Sequence, residues 1–146
     1  MVRVLATGTF DILHPGHLLY LEEARALGDE LYVIVAREKN IKHKPKPIIS
    51  ENQRLKMISS LNAVDEAILG SEGDIFERLY EIKPDIIALG HDQHFDERVL
   101  ERELKERGIK ADVVRIKKSL DCELCSSAKI YKKIVEREML KNSKNF

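Results

Sequence analysis

Two histidines three positions apart, His14 and His17, follow a short apolar run and a Gly-Thr pair at Gly8 and Thr9. Glycine allows the backbone to approach a ligand closely. Pro15 suits the first turn of a helix, whose N-terminus presents unpaired N–H groups and the positive end of the helix dipole. Imidazoles beside such a terminus can bind phosphate oxygens and stabilise charge during phosphoryl transfer. The pattern therefore predicts a phosphate site that supports group transfer.

Other interpretations of these histidines are open. A single histidine at a helix start commonly caps the helix or packs against it. A zinc site is the other chemical possibility, but the metalloprotease spacing differs and the neighbouring sequence offers no third ligand. Because both histidines occur in one strand-turn-helix pattern, we favour the phosphate site and predict no metal held by the protein alone.

Five short apolar runs alternate with amphipathic segments along the chain. The predicted strands cover residues 2–7, 31–36, 64–69, 85–89 and 111–116, and the predicted helices cover 15–27, 50–61, 74–82, 96–107 and a last segment from 125. Continuous apolar runs are typical of buried parallel strands joined by right-handed crossovers. The order predicts a doubly wound α/β domain, in which ligands bind at the carboxyl ends of the strands.

A basic loop follows the second predicted strand. Residues 37–49 contain two prolines and several cationic or imidazole side chains, namely Lys39, Lys42, His43, Lys44 and Lys46. Seen alone, such a loop is a solvated connection. At the carboxyl edge of the sheet it also suits a lid over anionic phosphates.

The helix after this loop begins with a capping box, because Ser50 is followed three residues later by Gln53. Arg54 lies in its first turn, where the helix dipole disfavours a cation. It is therefore either an ordinary surface arginine or, together with Lys46, part of a phosphate clamp.

Two polar segments follow later strands. Asp92 comes directly after the fourth predicted strand, where it either binds a ribose or a base or caps the next helix. Ser126 and Ser127 begin the last helix, where they either cap it or supply hydroxyl and N–H groups to an anion. The residues themselves leave both roles open, for Asp92 and for the serines.

The composition limits the class of protein. The 146 residues are enough for one domain, and 25 basic residues balance 25 acidic ones, so no global field attracts nucleic acid or an acidic membrane. No segment is long enough for a membrane span, and the opening apolar run is too short for a signal peptide. We expect one cytoplasmic domain over residues 1–146, with a frayed tail from about residue 137.

Cys122 and Cys125 are the two cysteines of the chain. Two cysteines do not form the disulfide framework of a small secreted protein. The ordinary interpretation is a pair of packed or exposed thiols, and a redox-sensitive gate or half of a metal site are the alternatives.

Residues 8–17, Gly-Thr-Phe-Asp-Ile-Leu-His-Pro-Gly-His, resemble the HxGH signature of the cytidylyltransferase-like nucleotidyltransferases, and later motifs follow that family's order over almost the whole chain. The resemblance implies a five-stranded parallel sheet of order 3-2-1-4-5 between two helical layers. It also implies that nucleotide binds where the first and fourth strands diverge, and that the protein is a homodimer.

The resemblance assigns roles to residues of this chain. His14 and His17 would hold the α-phosphate during attack, and Lys46 and Arg54 match the loop lysine and helix arginine that hold a triphosphate or an acceptor phosphate. The implied nucleotide-binding residues are Gly8, Thr9, Phe10, Gly16, Gly90, Asp92, Ser126 and Ser127.

One segment departs from part of the family. Glycerol-3-phosphate cytidylyltransferases carry Arg-Thr-x-Gly-Ile-Ser-Thr before the last helix, whereas residues 121–127 read Asp-Cys-Glu-Leu-Cys-Ser-Ser, without the arginine and the glycine. This difference predicts another base and acceptor.

The motifs at residues 8–17, 47–54 and 90–93, with the cysteine-bearing loop, most resemble the archaeal FAD synthetases. That similarity implies transfer of AMP from ATP to FMN, giving FAD and pyrophosphate, with Mg²⁺ bridging the triphosphate. Transfer of CMP to glycerol 3-phosphate or another alcohol phosphate is the alternative within enzymes, and a nucleotide-binding sensor without catalysis is the alternative outside them.

Overall fold

The computed structural model describes residues 1–42 and 45–144. Its centre is a five-stranded sheet made of β1 (Arg3–Gly8), β2 (Glu30–Val35), β3 (Glu66–Leu69), β4 (Ile86–Leu89) and β5 (Asp112–Arg115). Neighbouring strands pair in parallel, in the order β3-β2-β1-β4-β5. The predicted doubly wound sheet and its strand order are confirmed.

The helices are α1 (Pro15–Arg25), α2 (Glu51–Ser59), α3 (Glu77–Ile82), α4 (Glu97–Glu106) and α5 (Ser127–Lys144). A short 3₁₀ turn, Glu38–Asn40, follows β2 and was not predicted. Side chains alternate across the central strand: Val4 and Ala6 pack in a cluster with residues of α1 and α2, and Leu5 packs with residues of α3 and α4. The sheet therefore has a hydrophobic core on each face.

Local capping signals explain where two of the helices begin. The Ser50 hydroxyl accepts a hydrogen bond from the N–H of Gln53 at 3.3 Å, so the predicted cap of α2 is present. Asp96 accepts bonds from the N–H groups of Arg98 and Val99 at 2.9 and 3.2 Å, and this fixes the start of α4. Both helices thus begin at the carboxyl edge of the sheet.

The last helix is longer than the sequence predicts. Fraying was expected from about residue 137, but α5 continues to Lys144, and the side chains of residues 136–143 are exposed. Glu, Arg, Met, Leu and Lys are strong helix formers, which explains a helical end without tertiary packing. Within the described part of the chain, no helix is long and apolar enough to cross a membrane.

Candidate active site

A cavity of about 690 Å³ opens at the carboxyl ends of β1 and β4, where the strand order reverses. Segments from the beginning, the middle and the end of the chain form its wall. The residues of the predicted site that line it are Gly8, Thr9, Phe10, His14, Gly16, His17, Lys46, Gly90, Asp92, Ser126 and Ser127. His17 and Ser127 therefore line the same cavity.

His14 is the N-cap of α1, and its Nδ1 accepts a hydrogen bond from the N–H of Gly16 at 3.1 Å. This bond requires Nδ1 to be unprotonated, so the neutral imidazole carries its proton on Nε2. Burial lowers the pKa of His14 below its ordinary value, while the negative charge of Asp92 acts in the opposite direction. His14 is therefore a neutral hydrogen-bond donor near pH 7.

The turn after β1 packs against the ring of His17. Phe10 adopts a left-handed backbone conformation with φ of 54°, and its buried ring meets the ring of His17 edge to face at 5.4 Å between centroids. A Cβ on Gly8 would lie 2.8 Å from the Phe10 ring. Gly8 is therefore required for the packing of this turn as well as for a close approach of ligand to backbone.

The N-termini of α1 and α5 contribute to the same wall. A Cβ on Gly16 would lie 2.9 Å from the carbonyl oxygen of Cys125, so the two chain segments are packed closely. The Ser126 hydroxyl accepts a bond from the N–H of Lys129 at 3.2 Å, which makes Ser126 the cap of α5, and Ser127 is the first residue of that helix. Two helix dipoles thus favour an anion in the cavity.

The loop that follows β4 is held by two residues, Gln93 and Arg115, to which the sequence patterns assigned no role. Gln93 accepts a bond from the N–H of Gly90 at 2.7 Å and donates one to the carbonyl oxygen of Thr7 at 2.9 Å. Arg115 donates to the carbonyl oxygens of Gly90 and Gln93, each at 2.7 Å. Because Asp96 caps α4, the 81% exposed side chain of Asp92 is not needed as a cap.

Arg54 does not line the cavity. Its side chain is 1% exposed, and it donates to the carbonyl oxygens of Thr9, Ala36 and Ile49 at 2.8, 2.8 and 2.9 Å. Burial lowers the pKa of Arg54, and the charge of Asp11 opposes this effect. Arg54 is therefore not a surface arginine but a buried cation that joins the turn after β1 to the end of β2, and its part in a phosphate clamp stays a prediction.

The basic loop is described in part. Lys46 is exposed and lies at the cavity wall, while His43 and Lys44 lie outside the described residues. Pro45, Pro47 and Ile48 line the same side of the cavity. The described part of the loop therefore brings one cationic side chain, that of Lys46, and an apolar surface to the site.

The two cysteines form a disulfide, so they are not the free thiols that we expected. Cys125 is buried and lines the cavity, whereas Cys122 is exposed. In the described residues, no cluster of three or more His, Cys, Asp or Glu side chains is placed to hold a metal ion.

Comparisons with known proteins identify relatives of this chain. Residues 5–133 match the family described as cytidylyltransferase-like. The FAD synthase of Archaeoglobus profundus is 66% identical over 93% of this chain and 88% of its own length, and that of Methanococcoides burtonii is 64% identical over 94% and 96%.

Solved structures share the fold. A Thermoplasma volcanium GSS1 protein described as a lipopolysaccharide core biosynthesis protein superimposes with a TM-score of 0.79 and 52% identity, over 83% of this chain and 99% of that one. A pantoate-beta-alanine ligase from Francisella tularensis, at 15% identity and a TM-score of 0.60, covers 90% of this chain and 64% of its own and shows likeness of fold alone. By its family match and its relatives, the chain belongs to the cytidylyltransferase-like family.

Proposed function

We propose that the protein transfers AMP from ATP to FMN, giving FAD and pyrophosphate. The chain is a nucleotidyltransferase, and archaeal relatives that are 61–66% identical over more than nine-tenths of it are named FAD synthase. The observation that carries the proposal is the convergence of His14, His17 and the N-terminus of α5 on one cavity at the point where β1 and β4 diverge.

The nucleotide is proposed to bind in the crevice between β1 and β4. The exposed carboxylate of Asp92 is placed to accept hydrogen bonds from ribose hydroxyls, beside the backbone of Gly90. The α-phosphate would lie between the histidine pair and Ser127, close to the N-termini of α1 and α5, whose dipoles favour an anion.

In the transfer, a phosphate oxygen of FMN attacks the α-phosphorus of ATP in line, and the bond from that phosphorus to the bridging oxygen of pyrophosphate breaks. The reaction needs no covalent enzyme intermediate. The Nε2–H of His14 and the helix dipoles stabilise negative charge on the α-phosphoryl oxygens. Lys46 offsets charge on the incoming or the leaving phosphate.

A divalent cation accompanying the triphosphate is part of the proposal. The carboxylates among the described cavity residues are Asp11 and Asp92, and Asp11 is bonded to Ile48, Ile49 and Tyr131. This donor set fits an ion held mainly by triphosphate oxygens and water, with Asp92 as the available protein ligand. When bound, Mg²⁺ neutralises charge on the pyrophosphate leaving group.

We also propose that the protein is a cytoplasmic homodimer. Its ATP substrate supports the location, and the family resemblance supports the dimer. Ile134, Val135 and Met139 on α5 are more than half exposed, an apolar surface that a second copy would cover. Sedimentation analysis would give the mass in solution.

The function is tested by incubating the purified protein with each pairing of ATP or CTP and FMN or glycerol 3-phosphate, and measuring products by chromatography together with pyrophosphate release. We expect FAD and pyrophosphate from ATP and FMN. A CDP-alcohol as the main product would favour the cytidylyltransferase alternative, and absence of pyrophosphate with every pair would favour a sensor.

A further inference from the structure

Asp11 lies in the turn after β1 and connects three parts of the cavity wall. Its carboxylate accepts hydrogen bonds from the N–H groups of Ile48 at 3.0 Å and Ile49 at 2.8 Å, and from the hydroxyl of Tyr131 on α5. These partners are 37, 38 and 120 residues away along the chain. One side chain thus joins the turn after β1, the end of the basic loop and the last helix.

Within the described residues, the end of this loop is held by Asp11 and by Arg54, which donates to the carbonyl oxygen of Ile49 at 2.9 Å. Pro45 and Pro47 have no N–H group, so Ile48 and Ile49 provide the nearest backbone donors after Lys46. Ile48 is 70% exposed, and Lys46 is exposed too, so packing in the core does not fix this stretch. Its position at the cavity therefore depends on hydrogen bonds, and those to the N–H groups of Ile48 and Ile49 are accepted by Asp11.

The strand order decides which substrate this stretch faces. β2 and β4 lie on opposite sides of β1, and the nucleotide crevice is the one between β1 and β4. The loop that ends at Ile49 follows β2 and so lies on the other side. A nucleotide bound in that crevice, as proposed above, leaves the β2 side of the cavity for the acceptor. The stretch held by Asp11 is therefore on the acceptor side.

We propose that Asp11 is a positioning residue for the acceptor, holding Lys46 and Ile48 against the flavin phosphate and ring while Tyr131 fixes the same carboxylate to α5. The inference rests on the proposed function and adds a residue to it. Asp11 acts through the loop and does not touch the reacting atoms. Its contribution is pre-organisation, because a loop that is already ordered loses less entropy when the acceptor binds.

The test compares steady-state constants for FMN and ATP in Asp11→Asn, Tyr131→Phe, Lys46→Ala and the Asp11→Asn/Lys46→Ala double variant. Asp85→Asn is the matched control, because Asp85 accepts an N–H bond from Arg3 at 2.8 Å at the opposite edge of the sheet. We expect Asp11→Asn to raise KM for FMN about tenfold and Tyr131→Phe about threefold. KM for ATP should stay within about twofold in both, and the control should match the wild type.

The double variant tests whether Asp11 acts through the loop. If it does, Asp11→Asn raises KM for FMN by a much smaller factor in the Lys46→Ala variant than in the wild type. Tyr131→Phe removes one hydroxyl and leaves the bonds to Ile48 and Ile49, so it keeps the test open if Asp11→Asn does not fold. An unchanged KM for FMN, equal rises for both substrates, or fully additive losses would overturn the inference. A wild-type protein that makes no FAD would instead overturn the proposed function.

Discussion

The imidazole rings of His14 and His17 stack with their centroids 3.7 Å apart and an angle of 26° between their planes. Two imidazolium cations at this distance would repel each other, and burial already lowers the pKa of His14. Because Nδ1 of His14 is bonded to Gly16, Nε2 is the atom that His14 can direct at a phosphate. In the proposed reaction, the pair would therefore act by position and hydrogen bonding, with His14 uncharged.

Removing either imidazole should abolish most turnover while the fold persists. We expect His14→Asn and His17→Ala to lower kcat by about 10²–10⁴. Asparagine at position 14 keeps an acceptor for the N-terminus of α1, so the variant separates chemistry from capping. His94→Ala is the control, since His94 lies outside the main cavity. A folded His17→Ala protein with wild-type turnover would refute the assignment.

The lowered pKa of His14 makes stability depend on pH. The unfolded chain takes up a proton near the ordinary value of 6.5, whereas the folded protein resists protonation until the pH is lower. His14 therefore stabilises the fold above that value, and the contribution is lost as the pH falls from 6.5 through the folded pKa. When thermal unfolding is measured from about pH 8 to about pH 5.5, the stability of the wild type should fall more steeply than that of His14→Asn. Identical slopes would contradict this.

Gly16→Ala should distort the site. The added Cβ would lie 2.8 Å from the His14 ring and 2.9 Å from the carbonyl oxygen of Cys125, and the backbone atom cannot move without shifting the start of α5. We expect a loss of about 1–3 kcal/mol in the free energy of unfolding by urea, together with reduced turnover. Gly73→Ala is the matched control, because a Cβ there meets nothing within 4 Å. Equal behaviour of the two variants would show that the close packing at Gly16 is not required.

Replacing Arg54 should affect the stability of the fold more than it affects catalysis. Arg54→Met leaves the carbonyl oxygens of Thr9, Ala36 and Ile49 without their donor, so we expect a loss of about 3–5 kcal/mol in the free energy of unfolding. Arg54→Lys should rescue this only partly, since one ammonium group cannot match the fork of a guanidinium. Wild-type stability combined with a raised KM for ATP would indicate direct contact with the triphosphate instead.

Local signals in the sequence were sufficient for the architecture. The Ser50 cap, Pro15 at a helix start and the uninterrupted apolar strands each depend on neighbours within a few residues, and the structure has all of them. The parallel pairing of the strands then follows from the crossover units, whereas the order 3-2-1-4-5 was implied by the family resemblance. These signals also placed Asp92 and Ser126 at the edge where the cavity opens.

Long-range hydrogen bonds explain what the sequence did not predict. Arg54 lies in a first helical turn, where the helix dipole disfavours a cation, yet in the folded chain it donates to three carbonyl oxygens from separate segments. The partners of Asp11 on α5 and of Gln93 on β1 are 120 and 86 residues away. No local spacing encodes such pairs, so a structure was needed to find them.

The closeness of Gly16 to Cys125 means that the two ends of the sequence share one wall of the cavity. During translation, β5 ends at Arg115, so all five strands leave the ribosome before residues 119–131 can take their places. A nascent protein can therefore have its complete sheet while the part of the cavity wall formed by residues 119–131 is still missing. Nucleotide bound at that stage would lack the second helix N-terminus, which only the late segment supplies.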